Sequence, residues 1–226
     1  MIVQEPPFEL IVLFPDSEMK MLVEALIERG QRGRDCTRPF RWLSIRDPRR
    51  DTVWREPDRP LMLFLRMNCC FLIVWDHQGS GIEAQQPAEV EVQVIHRLTG
   101  LGVPRERILA VAFDPELEVS FRMAWSKIKR VVAEERRMAP PADPFILEEA
   151  QRRNPRLRIP DDFGQALARH PKELFEALIR LLRLRRSPPL YAKIGERVSL
   201  RALKGEGAVA RIANAIATWF PPVAHE

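Results

Sequence analysis

Cysteine is scarce in this chain: three residues, Cys36, Cys69 and Cys70, the last two adjacent. They contain no CxxC pair and cannot supply a disulfide framework, which excludes zinc-ribbon and dithiol redox readings. Histidine is equally thin, at positions 77, 96, 170 and 225, without metal-ligand spacing. No long apolar run occurs. The longest, Leu61 to Leu65 and Cys69 to Trp75, fall far short of the ~20 residues needed to cross a bilayer, so no membrane role is expected. The opening residues show no basic region followed by an apolar stretch and a cleavage site, which points to a cytoplasmic protein. Also lacking are a GxSxG elbow, a GxGxxG after the first strand, an HExxH pair and a Walker-type phosphate loop. Protease, dehydrogenase and zinc-hydrolase readings are disfavoured accordingly.

What is present is the balance of a globular protein: 46% hydrophobic and 30% charged residues in 226. The net charge of +5 is unevenly spread. Residues 1–125 carry 16 basic and 19 acidic side chains, whereas residues 126–226 carry 20 and 12. The basic C-terminal half suits a polyanion, though a solvated helical surface explains it as well. Arginine outnumbers lysine 30 to 6, which favours bidentate phosphate contacts but also follows from a GC-rich genome.

Along the first half, strand and helix signals alternate. Phe8 to Phe14, Arg41 to Arg46, Cys69 to Trp75 and Arg107 to Phe113 read as strands. Met19, Leu22, Val23, Leu26 and Ile27 carry helical spacing, as do Val90, Val94 and Leu98 within Gln86 to Leu101. Pro60 to Met67 reads as helical, and a further helix is expected from Asp114 to about Val132. Such alternation implies βαβ units and a mostly parallel sheet. After the proline-rich stretch Met138 to Pro144, only helices are expected: Lys172 to Arg186, Leu190 to Arg197 and Glu206 to Phe220. The division is an α/β domain over residues 1–135 and a helical annex over 136–226, packed on it.

Each expected strand is followed within two residues by aspartate: Asp16, Asp47, Asp76 and Asp114. In an open parallel sheet the C-terminal strand ends share one edge, where ligands bind. Carboxylates converging there without Cys or His suit Mg²⁺. Asp is equally a favoured N-cap at a strand-to-helix junction, and that reading stays open. The glycines of Asp76-His77-Gln78-Gly79-Ser80-Gly81 allow backbone amides to meet an anion, or make a plain turn. Asp114, Glu116 and Glu118 lie within five residues at a helix start, and Arg49 and Arg50 stand beside Asp47 and Asp51, where they clamp a phosphate or pair with those acids.

The segments Pro15-Asp16-Ser17-Glu18-Met19-Lys20, Asp47-Pro48-Arg49-Arg50-Asp51, Asp76-His77-Gln78-Gly79-Ser80-Gly81 and Asp114-Pro115-Glu116-Leu117-Glu118 resemble, in order, those of a bacterial Toprim-like family. So do Leu190-Tyr191 with Arg197-Val198-Ser199-Leu200-Arg201, and the closing Trp219-Phe220-Pro221. Members of that family are mostly uncharacterised, and some are encoded with methylation-associated anti-phage defence systems. The resemblance covers nearly the whole chain. It implies a Toprim-like small parallel sheet flanked by helices, with an acid after the first strand and an acidic pair after a later one, together holding Mg²⁺. Asp76 matches the leading acid of the later motif. Leu13 stands where the first acid is expected, leaving Asp16 or Glu18 nearest, and Gln78 replaces the second acid of the later motif.

Two functions follow, ahead of a third, a nucleotide-binding sensor. One is a Toprim-like defence component acting as a Mg²⁺-dependent nuclease, with Asp16, Glu18, Asp76, Asp114 and Glu116 as metal ligands. Catalysis would then fall to Asp76, Asp114 and Glu116, with Arg49 and Arg50 neutralising the developing charge. The other is a catalytically degenerate subunit that binds nucleic acid or a partner protein of the defence system. In either, Lys127, Lys129, Arg130, Arg180, Arg183, Arg185 and Arg186 form the expected nucleic-acid surface.

Overall fold

The computed structural model describes residues 7–32, 37–47, 49, 52–198 and 207–222. Arg50, Pro48, Asp51, and Ser199 to Arg201, all named above, lie outside the described residues. Four strands form one all-parallel sheet in the order β2-β1-β3-β4: β1 Leu10–Phe14, β2 Trp42–Arg46, β3 Cys70–Asp76 and β4 Ile108–Phe113. β1 is buried at every position because it is central and covered on both faces. The edge strand β2 is half-buried, in keeping with its mixed sequence.

Alternation along the strands separates two cores. Leu10, Val12, Phe14, Leu72, Val74, Val111 and Phe113 point to one face. There they meet α1 (Ser17–Arg32), a 3₁₀ segment (Leu117–Ala124), α5 (Trp125–Glu134) and the C-terminal helices. Ile11, Leu13, Phe71, Ile73, Trp75, Ala110 and Ala112 point to the other. That face is covered by α4 (Pro87–Gly100) and by two single-turn helices, α2 (Thr52–Arg55) and α3 (Asp58–Leu61). After Asp143 the chain is helical among the described residues: α6 (Asp143–Arg153), α7 (Phe163–Arg169), α8 (Pro171–Leu181), α9 (Pro188–Arg197) and α10 (Gly207–Trp219). The apolar faces of α6, α8, α9 and α10 are continuous with the first core, so the annex closes that side of the sheet. α9 packs tightly on α1 at Gly195, where an added Cβ would lie 2.7 Å from the Leu22 carbonyl oxygen and the Ala25 Cβ. No helix among the described residues is long and apolar enough to cross a membrane.

Three expectations are corrected. Pro60 to Met67 is not a helix: α3 ends at Leu61 and the following residues make i→i+3 turns. Met62 and Leu63 are left exposed, so their apolar character earns no burial. The helix expected directly after Asp114 begins instead as the 3₁₀ segment at Leu117. The helix expected to reach Arg186 stops at Leu181. There Leu184 N–H donates to the Ile179 carbonyl at 2.7 Å, and Arg183 adopts φ 52°, the left-handed position of a helix-ending turn. Arg183, Arg185 and Arg186 therefore lie beyond the helix, and the turn carries Arg186 back toward the sheet.

Candidate functional site

The chain leaves β1 toward β2 and then returns to place β3 on the other side of β1. The crevice at the carboxyl ends of β1 and β3 is thus a topological switch point, the usual ligand position in such sheets. A cleft of about 670 Å³ opens there. Asp16, Glu18, Asp76 and Glu116 line it, together with Lys172 of α8 and Arg186 of the α8–α9 turn. Four of the five expected metal ligands are thereby brought to one place. Asp114 is not among them: its exposed carboxylate turns to His77 Nδ1 at 3.3 Å, while His77 Nε2 sits 3.0 Å from the Gln85 carbonyl and donates to it. Arg49 is exposed, its N–H donating to Asp47 Oδ1 at 2.8 Å, and it does not line the cleft.

Most acids of the cleft already have work. Asp16 Oδ1 accepts the Glu18 and Met19 N–H groups, each at 2.9 Å, and so caps α1. Glu18 takes Arg186 Nε at 2.5 Å, and Glu116 takes Lys172 Nζ at 2.5 Å. Burial alone would depress the Lys172 ammonium, but the bond to Glu116 and the surrounding carboxylates hold it above its ordinary value. Behind the cleft wall, Glu118 is fully buried; Tyr191 OH donates to its Oε1, and Arg186 Nη2 reaches the same oxygen at 3.1 Å. Burial pushes Glu118 up despite these partners.

Asp76 differs from the others. It ends β3 and accepts the Leu117 N–H at 2.7 Å, and no basic side chain among the described residues pairs with it. Burial and then the neighbouring charges of Glu118, Asp16 and Glu116 drive its carboxyl well above the usual range. Unsatisfied polar atoms gather at this edge too. Of the five buried side-chain atoms without a hydrogen-bond partner among the described residues, three belong here: Glu118 Oε2 and the indole nitrogens of Trp54 and Trp75, both cleft residues.

The donor set is all carboxylate, with an uncompensated Asp76 and an orphaned Glu118 oxygen, and its chemistry fits a hard divalent cation. The present side-chain arrangement does not gather it: among the described residues, no group of three His, Cys, Asp or Glu is disposed to hold a metal. Arg186 and Lys172 occupy Glu18 and Glu116. The glycine turn is likewise engaged internally. Gly79 and Gly81, at φ 78° and 80°, donate their N–H groups to Glu83 Oε1 at 2.7 and 3.2 Å, so a carboxylate of the chain itself fills the anion position.

The basic surface is divided. Lys129 pairs with Asp143, Arg180 with Glu176 and Arg186 with the cleft acids, whereas Lys127, Arg130, Arg183 and Arg185 make no ion pair among the described residues. Sequence reasoning did not find Lys172, which reaches Glu116 across 56 residues, nor the Tyr191–Glu118 bond. A usable hint for the second existed: Tyr191 is the sole tyrosine of the chain.

Fold and site together define an α/β protein with a four-stranded all-parallel sheet, an acidic cleft at its switch point and a helical annex that supplies the cleft's two cations. Comparison of the chain with protein-family models, with curated proteins and with solved structures gives no match in any of the three.

Proposed function

We propose that the chain is a Toprim-like component of a prokaryotic defence system, and that its cleft serves Mg²⁺-dependent phosphodiester chemistry on nucleic acid. The observation that carries this reading is Asp76, a carboxylate facing a cleft among three further acids without a cation of its own. Asp76, Asp16 and Glu116 would hold the ion. Mg²⁺ bound there supplies Lewis-acid polarisation of a phosphate and a water of lowered pKa. Lys172 and Arg186, once released from Glu116 and Glu18, stand beside the same cleft as phosphate-binding cations, the role first assigned to Arg49 and Arg50. The test is calorimetric titration with Mg²⁺ and Mn²⁺ alongside a cleavage assay on DNA and RNA. Binding and metal-dependent cleavage are expected, both lost in Asp76→Asn.

A second reading, a catalytically degenerate subunit, is favoured by the pairing of Glu18 and Glu116 with the chain's own cations and by Leu13 and Gln78 at positions where the resemblance calls for acids. Absence of binding to either metal at millimolar concentration, with or without nucleic acid, decides for it. In both readings nucleic acid is held by Lys127, Arg130, Arg183 and Arg185, which make no ion pair among the described residues. Affinity is then expected to fall steeply with salt, and neutralising any one of the four should reduce the slope of log K against log salt by about one. Salt-independent binding would transfer this surface to a protein partner.

A further inference from the structure

The amino ends of the four strands meet at the edge opposite the acidic cleft, and the charge there is reversed. Glu9, Arg41 and Arg107 immediately precede β1, β2 and β4, and Arg38 lies three residues before Arg41. With Asn68, Trp219 and Phe220 they line a second cleft of about 410 Å³. That volume is within the range of sites for small organic ligands.

Arg38, Arg41 and Arg107 stand with Glu9 in this cleft. Glu9 is held below the usual carboxylate range, chiefly by its hydrogen bond from Arg38 at 2.6 Å, so it remains ionised and is engaged by Arg38. Arg38 is fixed by that bond and by the Phe220 ring, 5.3 Å from its guanidinium carbon. Arg107 is different. It is half-buried, and its side chain makes no ion pair or hydrogen bond among the described residues. The neighbouring thiols do not neutralise it: burial pushes Cys69 up to about 11 and Cys70 up to about 12, so both stay protonated at neutral pH. This also removes thiolate chemistry from the cleft. An uncompensated, half-desolvated guanidinium beside two others is a fork for phosphoryl oxygens. Trp219, whose indole N–H is satisfied by the Glu106 carbonyl at 2.8 Å, contributes a planar ring to the same wall, on which a base can stack.

We infer that this amino-edge cleft is a second binding site, specific for a nucleoside phosphate, with Arg107 as its principal phosphate contact. It requires no metal and is independent of what the acidic cleft does. The four nucleoside 5′-monophosphates, ribose 5-phosphate and inorganic phosphate are titrated calorimetrically into the full chain, with EDTA present so that the acidic cleft cannot contribute through a cation. At least one nucleoside monophosphate is expected to bind about tenfold more tightly than ribose 5-phosphate or inorganic phosphate, with quenching of tryptophan fluorescence. Arg107→Gln should weaken it about tenfold or more. Asn68→Asp, a substitution at an exposed position that places a like charge beside the ligand, provides the same reading if Arg107→Gln does not fold. No binding of any probe at several millimolar would overturn the inference, as would affinities unchanged in a folded Arg107→Gln or in Asn68→Asp. Inorganic phosphate or ribose 5-phosphate binding as tightly as the nucleotides would overturn the nucleoside assignment.

Discussion

Arg186→Met should destabilise the protein by about 3 kcal/mol at pH 8, and by much less at pH 5. The large term is Glu118, fully buried, whose Oε1 shares Arg186 and the Tyr191 hydroxyl. Removing one member of a buried pair costs about 3–5 kcal/mol because the other charge is left uncompensated. The Arg186 side chain is 29% exposed, which places the expectation at the lower end. The pH dependence follows from the sign of the Glu118 shift. Its folded carboxyl is already above the ordinary value through burial, and loss of Arg186 raises it further. An acid raised in the folded state contributes most stability when protonated, and stability falls as pH rises from the unfolded value, ~4.3, through the folded one. The variant therefore loses most where Glu118 must ionise. Thermal or urea unfolding at both pH values measures this, and Glu118→Gln added to Arg186→Met should recover most of the loss. Equal stability of parent and Arg186→Met at pH 8 would show that Glu118 is not held by this pair.

The second large effect has the opposite sign. Asp76→Asn, in the absence of divalent metal, should raise the melting temperature at pH 8 by at least about 2 °C, the equivalent of ~1 kcal/mol in a chain of this size. The carboxamide oxygen keeps the acceptor for Leu117 N–H, while the repulsion from Glu118, Asp16 and Glu116 disappears. Since the folded carboxyl is raised above the ~3.9 of an unfolded aspartate, its penalty is absent below pH 4 and grows as pH rises through the folded value. The gain of the variant should follow the same course. Capping alone predicts no gain at any pH, because Asn and Asp cap about equally well. If the cleft takes Mg²⁺, the ion should raise the melting temperature of the parent and leave Asp76→Asn unmoved. A lower melting temperature for Asp76→Asn at pH 8 would mean that the Asp76 charge is compensated by a group other than those lining the cleft.

Local pattern carried the sheet. Short, wholly apolar runs such as Leu10–Phe14 and Ile108–Phe113 read as strands covered on both faces, and the helical spacing from Met19 to Ile27 marks the crossover between β1 and β2. The aspartates after the strands were legible for the same reason, since a parallel sheet sends every such residue to one edge. Local pattern was a poor guide to where the basic helix ends. Lys172 to Arg186 has unbroken amphipathic spacing, yet the chain turns at Arg183, a residue with no local stop signal, because Arg186 reaches two acids of the α/β half, Glu18 and Glu118, in the folded state. Distances in sequence explain the remainder. Lys172 and Glu116 are 56 residues apart, and Tyr191 and Glu118 are 73 apart. No window of neighbouring residues records such pairs.

What the sequence by itself determined is the succession of the four strands, the crossover helices α1 and α4, the parallel sheet and the acids at its carboxyl edge, all set by side-chain periodicity and the short reach of a turn. Only the tertiary structure decided which acids meet and what each faces. Asp114 turns away to His77, Glu118 is buried behind the wall, and the annex delivers Lys172 and Arg186. Those outcomes depend on burial and charge summed over distant segments, because the energy of a carboxylate is set by the solvent it loses and the charges that packing brings beside it.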